Sequence, residues 1–239
     1  YRAFIISGQD SVVRRWLRCG ADGWRLDVAD ELPDDFIAAI RAAIQEEKPE
    51  GYLLGEVWED GSNKIAYSHR RRYLLGRETH GLMNYPFRTA LLAWLDGGDA
   101  ADFRHAMECI RENYPPAAFY GAMNFLGTHD TARILTLLGA EQVPEQKTER
   151  AAYRLSPQEL DRGRRRLRLA GMLLYCFPGS PTLYYGDEAG MQGFEDPLNR
   201  RTYPWGGEDA VLLDFFRQLG RLRTERPSLR RGEIRYLYA

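Results

Sequence analysis

The chain has 239 residues, 44% of them hydrophobic, enough apolar material for one large α/β domain or two smaller ones. Lys and Arg total 33 against 34 Asp and Glu, a formal charge of −1, so the charge balance calls for neither nucleic acid nor an anionic membrane as partner. Three cysteines, Cys19, Cys109 and Cys176, form no C-x-x-C pair, which argues against a disulfide framework and a thiolate zinc site; they read as small buried apolar side chains and favour a cytoplasmic location.

The first residues, Tyr1-Arg-Ala-Phe-Ile-Ile-Ser, have no signal-peptide pattern and no initiating Met, as in a chain cut from something longer. Asp10-Ser11 can cap a helix with Val12, Val13, Trp16 and Leu17 on one face, stopped by Gly20. Trp24 to Val28 reads as a buried strand. A helix then starts at Pro33, with Asp34 and Asp35 in its first turn and Phe36, Ile37, Ile40 and Ile44 at helical spacing, and ends before Pro49. Tyr52 to Val57 is the next strand. A polar helix around Asn63 to Leu75, a strand near Leu82-Met83 and helices over 86–95 and 99–113 follow. Met123 to Leu126 is a strand and Thr131 to Leu138 a short helix. Ser156-Pro157-Gln-Glu159 is a strong start signal for a long helix running to Phe177. Pro181 to Tyr185 is the last of five strands. Pro178-Gly179-Ser180-Pro181 breaks the longest apolar stretch, Leu169 to Tyr185, so no membrane helix is expected.

Five strands separated by helices predict a parallel sheet with right-handed crossovers, three short of the eight that close a (β/α) barrel. The loop from Gly186 to Gly207 is too long for a bare connection and reads as functional. Helix Asp209 to Thr224 packs back. From Arg226 the texture changes, and Glu233-Ile-Arg-Tyr-Leu-Tyr alternates like the first strand of another β unit. The organisation expected is therefore 1–225 as one α/β unit and 226–239 as the start of a second domain.

Three carboxylates end short apolar runs: Asp27 after Gly23-Trp-Arg-Leu, Glu56 after Tyr52-Leu-Leu-Gly, and Asp130 after Asn124-Phe-Leu-Gly-Thr-His. Strand ends at the rim of a parallel sheet are where α/β folds place active sites. One such acid is more simply a helix cap or half of an ion pair; three in succession favour chemistry. Hydrolysis of a sugar acetal needs one carboxyl group to attack or activate water and one to protonate the leaving oxygen. A further anion nearby can stabilise the positive ring carbon. Arg25, two residues before Asp27, shares its strand face and favours the ionised form suited to a nucleophile. Glu56 lies in apolar company that suits an acid. Trp58 is core or a face for sugar stacking, and His129 can donate to hydroxyls. The histidines are too dispersed for a metal cluster, and no cofactor is expected.

These segments resemble the alpha-amylase family of glycoside hydrolases. Gly20-Ala-Asp-Gly-Trp-Arg-Leu-Asp-Val-Ala is similar to the family segment at barrel strand four, Gly55-Glu-Val-Trp to that at strand five, and Phe125-Leu-Gly-Thr-His-Asp to that at strand seven. Leu82-Met-Asn-Tyr-Pro-Phe, Pro181-Thr-Leu-Tyr-Tyr-Gly-Asp-Glu-Ala-Gly-Met and Glu195-Asp-Pro-Leu-Asn-Arg-Arg resemble the neopullulanase, cyclomaltodextrinase and maltogenic amylase branch. The resemblance implies a partial (β/α)8 TIM barrel, strands four to eight with their helices, plus the first strand of a C-terminal β domain. It implies Asp27 as nucleophile, Glu56 as acid/base and Asp130 as transition-state stabiliser. Arg25 and His129 would contact the sugar being cleaved, and Asp196 and Arg200 the next glucose on the non-reducing side.

The activity implied is retaining cleavage of α-1,4-glucosidic bonds in maltooligosaccharides, cyclodextrins or pullulan. The alternatives are a glucosyl-transferring enzyme of the same family and a non-catalytic carbohydrate-binding or structural fragment. Strands one to three are absent, as is the Asn-His segment that often brings a calcium ligand, so calcium has no support here. Little activity is expected of the 239 residues alone, and self-association through the strand-four and strand-eight edges is expected.

Overall fold

The computed structural model describes residues 1–237 and divides the chain into two compact units, one of residues 1–87 with 104–123, the other of residues 88–103 with 124 onward. The first unit is built on three parallel strands, β1 (Gly23–Leu26), β2 (Tyr52–Gly55) and β5 (Gly81–Leu82), in the order β1-β2-β5. A parallel bridge between Met83 and Met123 continues the pairing. Helix α1 (Val12–Arg18) precedes β1, and α2 (Asp34–Glu47) crosses from β1 to β2. The buried stripe of α2, Ile37, Ile40, Ala43 and Ile44, repeats at helical spacing and packs on α1 and β2. Val13 and Leu17 of α1 are buried, but Trp16, expected beside them, is exposed. Ser11 stands before α1 without capping it through its side chain; its hydroxyl donates instead to the Ile6 carbonyl at 2.8 Å.

Glycine at 81 is required by close approach, since a Cβ there would lie 2.3 Å from the Tyr52 hydroxyl, which donates to the Gly121 carbonyl at 2.6 Å. The His80 ring stacks on Tyr52 with centroids 5.0 Å apart, and its Nδ1 accepts the Leu53 N–H at 2.9 Å. Burial, with the Arg41 charge adding to it, pushes His80 down to about 4, so it is a neutral structural ring.

The helix expected over Asn63 to Leu75 is not there. A small antiparallel hairpin, β3 (Ile65–Ala66) and β4 (His69–Arg70), takes its place, turning through Tyr67 and Ser68 at φ of 52° and 63°. Two successive left-handed residues suit a tight hairpin and cannot sit inside a right-handed helix. Tertiary anchors impose this path. Arg71 donates to the carbonyls of Ala29, Asp30 and Leu32 and pairs with Asp34 at 2.8 Å, while Lys64 lies 3.2 Å from Asp30 and the Tyr73 hydroxyl donates to Asp30 at 2.6 Å.

Helices α3 (Tyr85–Leu95) and α4 (Ala100–Asn113) lie as expected, and a short helix α5 (Pro116–Gly121) that the sequence reading missed leads into β6 (Met123–Phe125). In the second unit β6 neighbours β7 (Ser180–Thr182), and the Asn124 amide donates to the Pro178 carbonyl at 2.7 Å. The expected strand to Tyr185 ends at Thr182, because Tyr184 and Tyr185 turn their rings onto the guanidinium of Arg133 at 4.2 and 4.5 Å. Helix α6 (Ile134–Gly139) packs on α8 (Pro157–Cys176), where a Cβ on Gly163 would lie 3.1 Å from the Gly139 Cα. Between them lies α7 (Lys147–Ala152), also missed, and α9 (Ala210–Glu225) packs on α8.

Pro227–Arg231 forms α10, and the strand expected from Glu233 is not formed over residues 233–237, which pair with no strand among the described residues; Tyr238 and Ala239 lie outside the described residues. The buried cysteines expected are not found either. Cys19 and Cys176 are exposed at helix ends and Cys109 is half-buried, its Sγ 3.7 Å from His105 Nε2. No helix among the described residues is long and apolar enough to cross a membrane.

Ser156 and Glu159 form a complete capping box at the start of α8. Glu159 accepts from the Tyr153 hydroxyl and from the N–H groups of Glu141 and Ser156 at 2.9 and 2.8 Å. The Tyr153 hydrogen bond above all, then these N–H groups, holds its carboxyl down to about 2 from 4.5. A carboxyl depressed on folding stabilises above its unfolded value and loses that contribution as pH falls through the folded one. The unfolding midpoint of Glu159→Gln should therefore lie below that of the parent above pH 4.5 and converge on it as pH approaches about 2, measured by thermal denaturation across that range.

Candidate active site

Parallel register sets the first cluster. Leu26 pairs with Gly55, so the next residue on each strand, Asp27 and Glu56, leaves the sheet at the same end and level. The main chain ties them there, with Glu56 N–H donating to Leu26 at 3.0 Å and Ala29 N–H to the Glu56 carbonyl at 3.1 Å. Arg25 stands between the two acids: one terminal nitrogen donates to Asp27 Oδ1 and the other lies 3.0 Å from Glu56 Oε2. Asp27 is open, its side chain 69% exposed, whereas the Glu56 side chain is 4% exposed.

The apolar surroundings expected for Glu56 are corrected by what its oxygens meet. Val28 N–H donates to Oε2 at 2.8 Å and the Trp58 indole N–H to Oε1 at 3.2 Å, in addition to Arg25. Two hydrogen-bond donors and the Arg25 charge converge on a buried carboxyl, the arrangement that makes such burial tolerable. Val28 reaches this position only by adopting a left-handed conformation, φ 39° and ψ 58°, which is strained for a β-branched residue. Trp58 is 51% exposed and stacks one face on Tyr85, centroids 4.3 Å apart and planes 13° from parallel. Tyr85 belongs to Leu82-Met-Asn-Tyr-Pro-Phe, but nothing in its spacing marks it as the support of Trp58.

The second cluster forms in the other unit. His129 Nε2 lies 3.3 Å from Asp130 Oδ2, and Arg200 reaches Asp130 Oδ1 at 3.7 Å, Asp196 Oδ1 at 2.9 Å and the His129 carbonyl at 3.1 Å. Asp196, Arg200, His129 and Asp130 thus form one charged, solvent-facing group. Behind it sits a buried layer that the sequence reading did not identify. Asn199 donates to the carbonyls of His129 and Thr131, each at 2.7 Å, and Arg133 donates to the Asn199 carbonyl at 2.7 Å. Arg133 also pairs at 3.2 Å with Asp187, whose carboxyl is pushed up to about 7 by burial, the Arg133 charge opposing the rise. Asn199 lay beside Arg200 in the loop already read as functional, the only signal available for it.

Among the described residues no group of three or more His, Cys, Asp or Glu is arranged to hold a metal ion. The chemistry on hand is that of carboxylates, guanidinium groups and aromatic faces.

Residues 6–221 match the family model described as alpha amylase, catalytic domain. The amylopullulanase of Thermoanaerobacter thermohydrosulfuricus is 39% identical over 99% of this chain, and the cyclomaltodextrinase of Geobacillus thermopakistaniensis 33% identical over 95%. The chain spans 16% of the first relative's length and 34% of the second's. Among solved structures, the cyclic alpha-maltosyl-(1→6)-maltose hydrolase from Arthrobacter globiformis, in complex with cyclic alpha-maltosyl-(1→6)-maltose, aligns with a TM-score of 0.76 at 29% identity, over 93% of this chain and 44% of that one.

Removing the shared cation should expose how much Glu56 relies on it. Arg25→Met keeps an unbranched stem but strips a charge-assisted bond from Asp27 and the ion-pair partner from Glu56, and is expected to cost about 1.5–3 kcal/mol of stability in urea unfolding. Adding Glu56→Gln should recover part of that loss, since no buried charge is then left under-partnered.

Proposed function

Because this chain belongs to the alpha-amylase family, we propose that it carries the catalytic carboxylates of a glycosidase that cleaves α-1,4-glucosidic bonds of maltooligosaccharides, cyclodextrins or pullulan with retention. The observation that carries the reading is the pair of carboxylates at adjacent parallel strand ends, one open and one buried, joined by the Arg25 guanidinium. Asp27, hydrogen-bonded by Arg25, attacks the anomeric carbon as the bond to the leaving oxygen breaks, giving a glycosyl ester on Asp27. Glu56 supplies the proton to that oxygen and then takes one from the water that releases the sugar. Of its two oxygens, Oε1 meets only the Trp58 indole at 3.2 Å, whereas Oε2 meets Val28 and Arg25 at 2.8 and 3.0 Å. Oε1 is therefore assigned the travelling proton.

Asp130 stabilises the distorted, positively charged ring, His129 and Arg25 contact it, Trp58 offers its free face for stacking, and Asp196 and Arg200 hold the next glucose. A relative named a cyclomaltodextrinase and a neighbour solved with a cyclic maltosyl-maltose support an α-glucan oligosaccharide as the substrate class.

In the protein that carries this chain, Asp27→Asn should lower maltotriose turnover by roughly 10⁴-fold or more. Glu56→Gln should lower it by about 10²–10⁴-fold. Proton NMR of the first product should show the α-anomer. A β-anomer, or full activity in both variants, would sink the mechanism. The 239 residues alone should turn over a chromogenic maltoside little or not at all, and clear turnover by the purified polypeptide would refute that expectation.

A further inference from the structure

The segment that presents Asp130 has no regular structure of its own, since residues 126–133 lie between β6 and α6 outside any helix or strand. Its main chain must be held by something else. The Asn199 side chain, fully buried, sends its two N–H groups to the carbonyls of His129 and Thr131 at 2.7 Å each, with the Thr128 carbonyl at 3.4 Å beyond. Those two carbonyls flank Asp130 on either side. A planar amide is the side chain that can offer two diverging N–H groups from one nitrogen at this short reach. Its orientation is settled by the neighbours, because the opposite one would set an oxygen against three carbonyls.

Asn199 is itself fixed. Its main-chain carbonyl accepts from Arg133 Nε at 2.7 Å, and the Arg133 guanidinium, wholly buried, is held by the Tyr185 carbonyl, by Asp187 at 3.2 Å and by the rings of Tyr184 and Tyr185. The next residue, Arg200, donates to the same His129 carbonyl at 3.1 Å and reaches Asp130 from the solvent side. The segment bearing Asp130 is thus gripped from below by Asn199 and from above by Arg200.

We propose that Asn199 is a positioning residue for the reaction, clamping the peptides on either side of Asp130 so that its carboxylate is aimed at the transition state. The inference rests on the glycosidase reading above. Asn199 touches no substrate; it acts through the backbone of residues 129–131. A substrate bound in its ground state loses little if Asp130 drifts, whereas a transition state whose charge Asp130 must meet loses much. A displacement of about 1 Å can cost on the order of 10²-fold in rate.

The test is Asn199→Asp in the whole protein that carries this chain, since that substitution keeps the shape and replaces both donors with an oxygen facing two carbonyls. The expected result is a roughly 100-fold fall in kcat for maltotriose with KM within about 3-fold, and a larger loss of affinity for acarbose, a transition-state-like inhibitor, than for maltose. A folded variant with kcat within about 3-fold of the parent overturns the proposal, and so does one whose kcat and affinity for maltose fall together. If Asn199→Asp does not fold, Asn199→Ala, which leaves room for water to bridge the two carbonyls, is held to the same criteria. If neither folds, Asn199 is a folding residue and the proposal falls. A parent protein that does not cleave maltotriose would defeat the glycosidase reading itself, whereas an active parent with an equally active variant defeats this inference alone.

Discussion

The first cluster depends on one electrostatic constraint: Glu56 is buried and can be so only while donors surround it. Moving a carboxylate out of water costs several kcal/mol unless hydrogen bonds and an opposite charge replace the hydration. Here the replacement comes from three directions: Arg25 on the adjoining strand, the Val28 peptide just past that strand, and the Trp58 indole two residues on. Each of these commits a piece of local structure. Arg25 must share a strand face with Asp27, Val28 must turn left-handed, and Trp58 must rest its ring on Tyr85. The burial of one acid therefore organises the strand ends around it.

The second cluster solves a different problem. Asp130, His129, Asp196 and Arg200 face solvent, where ion pairs contribute little and long side chains wander. Their order comes from beneath, from a wholly buried arginine packed against the rings of two tyrosines and an asparagine that spends both protons on main chain. A charged, exposed group is thereby placed on a buried grip whose own charge is fixed by its neighbours.

Much of this was legible in the residues. Short runs of four to six residues ending in an acid marked β1, β2 and β6, and the apolar spacing of α2 and the Ser156-Glu159 box of α8 fixed both helices to within a residue or two. What escaped had its cause elsewhere in the chain. The hairpin at Ile65–Arg70 follows from Arg71, Lys64 and Tyr73 reaching back to residues 29–34, contacts that no local pattern announces. The donors around Glu56 were hidden for a similar reason, since one is a peptide N–H whose direction depends on an unusual backbone angle at Val28. The cysteines misled because their type is usually buried, whereas Cys19 and Cys176 fall at helix ends that face water.

Val28 carries a consequence of its own. A valine held left-handed costs about 1–3 kcal/mol of backbone strain, which the hydrogen bond from its N–H to Glu56 helps to offset. Selection for heat resistance alone would favour glycine or asparagine there, gaining stability while loosening the peptide that orients the buried acid. Relieving the backbone at this turn would thus loosen the peptide that orients the buried acid, so changes that raise stability without touching the acid belong elsewhere in the chain.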